Sequence, residues 1–377
     1  MPGQVQQGIA RSLRRDRARR PSRSAAIRSK IVDSPEPLEP KNRSRRSLSS
    51  LENSALGGPS REATRRHAPR VIVVPVVRGG EINISRGEVG RVAALFGIEQ
   101  AVRIGGFENL LLRSTEPTGR ILRLTHGSRR SADLLQAEME FVGHLASEGV
   151  PVVTPVPSSD SRLVEEFSTS NGDRLLVTCF LEAPGRHLGP GEWAGSSIES
   201  YGALVGSMHH VAATFEPTMA RRPSWTDAVF DGGISASAET DPALHERWSN
   251  ARSVARSHPA EGDALLIHRD AHAGNLLGTE GGRLTLLDFD DSAYGTRTHD
   301  IAIVLFYWLM GAHDEEFTST VRRFFNRFVA GYERWAMLPA DWPDGVDLLL
   351  TLREAEIYWL LSTEHTQTTC HLGNTGS

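Results

Sequence analysis

One polar segment between two short apolar runs constrains this chain more than any other feature. The apolar runs are Ala264–Ile267 and Leu284–Leu287, and between them lies His268-Arg269-Asp270-Ala271-His272-Ala273-Gly274-Asn275. Thirteen residues beyond Asn275 comes Asp288-Phe289-Asp290. The order is therefore H-x-D-x-x-x-x-N, a strand-like run, and then D-F-x. Because two adjacent loops carry the acids and the amide, their side chains are expected to surround one point.

Phosphoryl transfer is the chemistry that needs these residue types in this order. A carboxylate must accept or orient the hydroxyl proton of the phosphate acceptor. An amide oxygen and a second carboxylate must hold a divalent metal ion against the nucleotide phosphates. A zinc site is the weaker interpretation. His268 and His272 have helical spacing, but Gly274 and the flanking strands argue against a helix there.

The segment resembles the aminoglycoside phosphotransferase and choline kinase family, which shares the protein-kinase-like fold. Members typically carry H-G-D-x-H-x-x-N, and this chain has Arg269 in place of the glycine, as in the H-R-D of protein kinases. The resemblance extends over about residues 90–365. It implies that Asp270 is the catalytic base and that Asn275 and Asp288 are metal ligands.

The same resemblance implies two supporting residues. His268 would stabilise the catalytic loop. Asp300, in Thr298-His299-Asp300-Ile301-Ala302, matches a family aspartate that holds this loop, and it also heads an apolar helix whose free N–H groups it would cap. Two interpretations of Asp290 and Asp291 fit equally well: solvated acids, or additional neighbours of the metal ion.

A nucleotide-binding site is expected ahead of this segment. Gly105-Gly106 lies between strand-like runs, where a glycine-rich loop would cross the phosphates. The full G-x-G-x-x-G is absent, so a plain hairpin turn fits equally well. Kinases use a lysine on the third strand, but the only lysines here are Lys30 and Lys41. Arg123 occupies the expected place, and a guanidinium can grip phosphate in a fork.

Strand alternation and helix periodicity predict the neighbours of Arg123. Ile121 shares its strand face and would cover the adenine. Glu138 lies on the apolar stripe of the following helix, whereas Glu140 lies about 200° round the helix. We therefore predict that Arg123 and Glu138 meet within salt-bridge distance. The alternatives are an exposed strand arginine and a solvated helix acid.

Composition and periodicity divide the chain into three parts. Residues 1–70 are rich in Arg, Ser and Pro without a sustained apolar period, which predicts a disordered basic tail. Residues 71–182 predict a small antiparallel sheet with one helix, the nucleotide-binding lobe. Residues 183–377 are mainly helical and carry the catalytic and metal loops, with a hinge near 181–189. The expected class is α+β, and the resemblance implies the two-lobed protein-kinase-like fold.

Charge and hydropathy narrow the classes of partner. Residues 1–70 hold 17 Lys and Arg against 6 Asp and Glu, and residues 71–377 hold 25 against 40. An acidic body argues against nucleic-acid binding by the two lobes. The basic segment is expected to be a solvated tail, with a nucleic-acid tether, an acidic-membrane tether or a transit peptide as alternatives. The longest apolar run, Ile301–Met310, is too short to span a membrane, and a cytoplasmic location is expected.

These observations predict an ATP-dependent (or GTP-dependent) phosphotransferase that uses Mg²⁺ and phosphorylates a hydroxyl of a small molecule. The acceptor is left open among an aminoglycoside, an amino alcohol or similar. Asp314-Glu315-Glu316 and Glu354-Ala355-Glu356 either face solvent or meet a cationic acceptor. A bacterial-type protein Ser/Thr kinase on the same fold is an alternative. A nucleotide-binding pseudokinase without turnover is another, because arginine is not equivalent to lysine. No oligomeric state is predicted.

Overall fold

The computed structural model describes residues 82–105, 108–117, 119–193, 195–218, 221–228, 264–311 and 317–338, with short pieces between 242 and 253 and between 342 and 357. The predicted tail, residues 1–70, lies outside the described residues, as do Gly106 and the acidic run 314–316.

The chain first forms a five-stranded antiparallel sheet, which we call the sheet lobe together with its two helices. Its strands are β1 (Ala101–Gly105), β2 (Leu110–Ser114), β3 (Arg120–His126), β4 (Glu165–Ser168) and β5 (Arg174–Leu181), in the order β1-β2-β3-β5-β4. Helix α1 (Arg86–Ala94) precedes the sheet, and α2 (Ala132–Ser147) connects β3 to β4. The predicted antiparallel sheet with its helix is present, and α1 is an additional element.

Helix α1 begins with a capping box that the sequence analysis overlooked. The Ser85 hydroxyl accepts from the Glu88 N–H, while the Glu88 carboxylate accepts from the Ser85 N–H at 2.7 Å. The other Glu88 oxygen accepts from the Ser170 N–H, also at 2.7 Å, so one side chain ties α1 to the β4–β5 turn. This arrangement satisfies backbone donors that the start of a helix leaves without partners.

Alternation along β3 separates a core face from a polar face. Leu122 and Leu124 are fully buried in a cluster with Val92 of α1. Arg123 lies between them and points to the opposite face, toward α2. A charged side chain can therefore stand in the middle of a central strand, because the opposite face provides a partner for it.

The second part of the chain, the helical lobe, consists mainly of helices. They are α3 (Ser196–Ala212), α4 (Trp225–Ala228), α5 (Arg297–Gly311) and α6 (Phe317–Tyr332), with further helical residues at 348–354. Two short antiparallel strand pairs lie among them: β6 (Leu265–Ile267) with β9 (Ala293–Gly295), and β7 (Leu276–Gly278) with β8 (Leu284–Leu286). The mainly helical character predicted for this part is present in the described residues, and β6 and β8 coincide with the two apolar runs of the sequence, whereas β7 and β9 were not predicted.

Helices α3 and α6 pack backbone to backbone. A methyl group on Gly202 would lie 1.8 Å from the Phe328 carbonyl oxygen, and one on Gly331 would lie 1.9 Å from the Glu199 carbonyl oxygen. Only glycine fits at these positions. The close approach holds the buried His209 of α3 in the interior, where its Nε2 lies 3.1 Å from Asp300 Oδ2.

Helix α5 contains the longest apolar run of the sequence. Ile301, Ala302, Val304 and Leu305 are buried in the main core of the helical lobe. Within the described part of the chain, no helix is both long enough and apolar enough to cross a membrane.

Candidate active site

The catalytic loop follows β6 and is held by the imidazole of His268. The ring is fully buried; its Nδ1 accepts from the Asp270 N–H at 3.2 Å, and its Nε2 lies 2.8 Å from the Leu287 carbonyl oxygen. Because Nδ1 accepts, Nε2 carries the hydrogen and donates to Leu287. His268 thus connects Asp270 to the residue that precedes Asp288, and its role as a support of the catalytic loop stays a prediction.

Asp300 supports the same loop from the opposite side. Its carboxylate accepts from the His268 N–H at 2.9 Å, the Arg269 N–H at 2.6 Å and His209 Nε2 at 3.1 Å. Burial opposes ionisation, but the hydrogen bond from His209 and the neighbouring histidines keep the pKa of Asp300 below its usual value. Helix α5 begins at Arg297, so Asp300 lies inside the first turn and not at the cap position that was predicted.

Arg269 occupies the position at which the family typically carries glycine. Its φ is 66°, in the left-handed region that costs a side-chain-bearing residue about 1–2 kcal/mol. The hydrogen bond from its N–H to Asp300 holds this conformation. Arg269 therefore adopts a backbone conformation that glycine adopts without strain, and it adds a guanidinium beside the loop.

The Asp270 carboxylate contacts three other side chains. Asn275 Nδ2 donates to Asp270 Oδ2 at 3.2 Å and to the Asp270 carbonyl oxygen at 2.9 Å. His272 Nε2 lies 3.4 Å from Oδ2, and Arg353 forms an ion pair with Oδ1. Burial alone would raise the pKa of Asp270, but His272 and Arg353 outweigh it and hold that pKa well below its usual range. Asp270 is therefore an ionised carboxylate in a fixed orientation.

Asn275 and Asp288 lie at the same end of the β7–β8 pair. The Leu287 N–H donates to the Asn275 carbonyl oxygen at 2.9 Å, and Asp288 is the next residue, with φ of 59°. The Asp288 side chain keeps 54% of its surface exposed. Partial burial and the nearby carboxylate of Asp290 raise the pKa of Asp288 to about 7, although Arg123 opposes the shift. Excess negative charge at this position favours a cation.

The predicted contact between Arg123 and Glu138 is confirmed. The two guanidinium nitrogens donate to the two carboxylate oxygens, each at 2.8 Å, and the side chains are 6% and 1% exposed. Arg123 Nη1 also lies 3.8 Å from Asp288 Oδ1. Glu140 instead faces Gln136 and the Thr218 N–H, away from this pair. Arg123 thus stands between Glu138 of α2 and Asp288.

Ile121 and Gly105 are the remaining predicted nucleotide-binding residues that the structure describes. Ile121 alternates with Arg123 on β3 and pairs with Phe180 of β5. Gly105 ends β1 with φ of 136°, and a methyl group on it would meet nothing within 4 Å. Gly106 lies outside the described residues. Nucleotide contacts by these residues stay a prediction.

The chemistry of the donor set fits a divalent metal ion. Asn275 and Asp288 offer the oxygen ligands that Mg²⁺ and Ca²⁺ prefer. Among the residues that the structure describes, no group of three or more His, Cys, Asp or Glu side chains is arranged to hold a metal ion. Mg²⁺ is commonly bound by one or two carboxylates together with substrate phosphates. The site therefore suits a metal ion that is held jointly with a phosphorylated ligand.

Asp290 and Asp291 both pair with arginines of the β3–α2 turn, and their side chains are 6% and 44% exposed. Arg130 Nε lies 2.9 Å from Asp290 Oδ1, and Arg130 Nη2 lies 2.8 Å from Asp291 Oδ1. Arg129 Nη2 lies 2.5 Å from the other Asp290 oxygen, and Arg129 Nη1 donates to Asn109 at 3.1 Å. Arg129 and Arg130, which were not predicted to have a role, join the sheet lobe to the segment that follows Asp288.

Arg353 is the residue near Asp270 that sequence analysis missed. It follows Asp270 by 83 residues, and no motif or spacing relates the two positions. Glu356 was left open between solvent and a cationic acceptor. The structure pairs it with Arg269 at 3.0 Å and with Arg353 at 2.9 Å. This acid is therefore neutralised by two arginines.

A comparison with known families identifies the chain. Residues 100–338 match the model of the phosphotransferase enzyme family (APH). The chain belongs to this family. The family that the catalytic loop predicted is therefore confirmed, and so is the prediction that the protein is a phosphotransferase.

Proteins similar to this chain include an amicoumacin kinase and an aminopropanol kinase. Amicoumacin kinase from Bacillus subtilis (strain 168) is 29% identical over 254 residues, which are 64% of this chain and 73% of that protein. The structure of the amicoumacin kinase hAmiN in complex with AMP-PNP, Ca²⁺ and Ami has 25% sequence identity and a TM-score of 0.63, covering 72% of this chain and 83% of that one. A microcompartment-associated aminopropanol kinase shares the fold, with a TM-score of 0.51, 18% identity and coverage of 72% and 92%. The predicted protein-kinase-like fold is confirmed.

Proposed function

We propose that this phosphotransferase transfers the γ-phosphate of ATP or GTP to a hydroxyl group of a small molecule. The observation that carries the proposal is a continuous series of contacts: Asp270 contacts Asn275, the Asn275 carbonyl binds the residue before Asp288, and Asp288 lies 3.8 Å from Arg123 of the buried Arg123–Glu138 pair. Each group matches a separate requirement of phosphoryl transfer, and together they stand where the two lobes meet.

Asp270 is the proposed base. It is ionised, and contacts to both oxygens fix its carboxylate, so it can accept a hydrogen bond from an acceptor hydroxyl in one defined direction. Phosphoryl transfer proceeds through a loose transition state in which orientation contributes more than basicity. A low proton affinity at Asp270 is compatible with this role.

Asn275 and Asp288 are the proposed ligands of a divalent metal ion, which we take to be Mg²⁺. When bound, the metal ion would neutralise charge on the β- and γ-phosphates. Arg123 lies 3.8 Å from Asp288 and is the proposed phosphate-binding cation in place of the usual lysine. Gly105, Gly106 and Ile121 are proposed to cover the nucleotide from the sheet lobe.

The proposed acceptor is a hydroxyl-bearing small molecule such as an aminoglycoside or an amino alcohol. The similarity to amicoumacin kinase supports this class, since the aligned residues cover 73% of that protein. Phosphorylation of protein side chains has no support of this kind.

The test is nucleotide turnover across a set of hydroxyl compounds. With Mg²⁺ and ATP or GTP, acceptor-dependent formation of the nucleoside diphosphate is expected. Asp270→Asn should lower turnover by about 100-fold or more while nucleotide affinity is retained. Asp288→Asn should weaken metal-dependent nucleotide binding itself, and Asp160→Asn, at an exposed position, is the matched control.

Two results would count against the proposal. Nucleotide binding without diphosphate formation for any acceptor would favour a pseudokinase, in which Arg123 binds phosphate without supporting transfer. Equal turnover by the wild type and Asp270→Asn would remove Asp270 from the mechanism.

A further inference from the structure

Both oxygens of the Asp270 carboxylate are held, and they are held by different parts of the chain. Oδ2 faces Asn275 at 3.2 Å and His272 at 3.4 Å, which belong to the same loop as Asp270. Oδ1 pairs with Arg353, which comes from the helical residues 348–354. A carboxylate held only at Oδ2 would have a wider range of orientations about its terminal torsion, since such torsions have broad minima. The contact with Arg353 removes that freedom.

Arg353 is itself rigidly placed. Its side chain is 10% exposed, its Nη2 donates to the Tyr307 hydroxyl at 2.7 Å, and its Nη1 pairs with Glu356 at 2.9 Å. The guanidinium carbon also lies 5.3 Å from the centre of the Tyr307 ring. These contacts come from α5 and from the terminal helical residues. The packing of these two elements therefore fixes where Arg353 meets Asp270.

A second connection joins the terminal helical residues to the catalytic loop. The two oxygens of Glu356 pair separately with Arg353 and Arg269. Arg269 immediately precedes Asp270 and occupies the position at which the family motif has glycine. Its backbone lies in the left-handed region. The arginine at this position therefore gives the loop a side chain that binds the same acid as Arg353.

We propose that Arg353 is a positioning residue for the reaction, and that it presents the Asp270 carboxylate to the acceptor hydroxyl in a single orientation. The inference rests on the proposed function, because it assigns Asp270 as the base. A misplacement of about 1 Å in a reacting group can lower a rate by about 100-fold. A residue that fixes one oxygen of the base acts on turnover and not on nucleotide binding.

The first test separates positioning from binding. Arg353→Met keeps much of the side-chain volume and removes the fork, and we expect kcat to fall by about 10- to 100-fold while the KM for nucleotide changes by less than about two-fold. Arg353→Lys should retain part of the activity. In Arg353→Ala, added guanidinium at millimolar concentration should restore part of kcat. Arg327→Met, at an exposed arginine of α6, is the control and should keep the wild-type kcat.

A rise in the acceptor KM at constant kcat would overturn the proposal, as would wild-type kcat in Arg353→Met. The proposal would also be overturned by a combination of two results: guanidinium restores no activity in Arg353→Ala, and Arg353→Lys has the same kcat as Arg353→Met. Each result would show that Arg353 binds the acceptor or only supports the fold.

The second test does not depend on turnover. Thermal unfolding without nucleotide is measured for Arg353→Met, Asp270→Asn and the double variant. A contact between these side chains predicts that the shift in Tm of the double variant differs from the sum of the single shifts. Additive shifts would overturn the proposal. If the wild type forms no diphosphate with any acceptor, the proposed function fails, and this cycle still decides whether Arg353 and Asp270 interact.

Discussion

Replacement of Glu138 by glutamine tests whether the Arg123–Glu138 pair is a buried structural ion pair. Glutamine keeps the shape of the side chain and one of its hydrogen-bond acceptors but removes the negative charge. Arg123 would then be a buried cation whose nearest remaining acid is Asp288, at 3.8 Å. We expect Glu138→Gln to destabilise the fold and to weaken nucleotide binding.

The magnitude follows from the burial and geometry of the pair. Two 2.8 Å hydrogen bonds join side chains that are 6% and 1% exposed. Removing one partner of such a pair costs about 3–5 kcal/mol, because the other charge stays buried. Since Asp288 compensates in part, we expect a loss of about 3 kcal/mol. At about 2–4 °C per kcal/mol for a domain of 150–250 residues, the Tm should fall by about 6–12 °C.

Thermal unfolding and nucleotide titration measure these effects. Glu140→Gln is the matched control, because Glu140 lies on the same helix and faces away from Arg123. In a double-mutant cycle with Arg123→Met, the double variant should lose less stability than the sum of the single losses, since no unpaired buried charge remains. The reasoning is refuted if Glu138→Gln and Glu140→Gln have equal Tm values, or if the losses are additive.

Three further predictions concern parts of the chain away from Arg123 and the catalytic loop. Backbone and hydroxyl hydrogen bonds lower the pKa of Glu88 from 4.5 to about 2, so its stabilisation is complete above pH 4.5 and is lost as the pH falls toward 2. The Tm of Glu88→Gln should therefore decrease less than the wild-type Tm as the pH is lowered from 4.5 toward 2. Glu148→Gln, at an exposed position, should show the same decrease as the wild type. Gly331→Ala should cost about 1–3 kcal/mol through overpacking, whereas Gly143→Ala, whose methyl group meets nothing within 4 Å, should gain about 0.5–1 kcal/mol. Deletion of residues 1–70 should leave both Tm and turnover unchanged, because the segment has too little apolar content to offset ordering entropy.

Local periodicity was sufficient to predict the contact between Arg123 and Glu138. The period of two in β3 places Arg123 opposite the core residues, and the period of 3.6 in α2 places Glu138 on the inner face. Both periods depend only on neighbouring residues, so the sequence determines them directly. The capping box of Ser85 and Glu88 is equally local, and α1 was missed although its signal was present.

The catalytic loop was predictable for a related reason. His268, Asp270 and Asn275 lie within eight consecutive residues, and Asp288 follows a short strand pair. A hairpin this short brings its two ends together whatever the rest of the chain does. The sequence could therefore place these side chains around one point without information about the packing of the helices.

The partners contributed by distant segments were decided only by tertiary structure. Arg353 and Glu356 meet the catalytic loop because the terminal helical residues pack beside α5, and no local pattern encodes that approach. The same holds for Arg130, which neutralises Asp290 across 160 residues of sequence. A charged residue in a sequence shows its sign but not its partner, since any of the 25 arginines of residues 71–377 satisfies an acid equally well until packing brings one of them close. The chain's local periods thus determined which groups the reaction centre contains, and the packing of its helices decided which charges hold those groups in place.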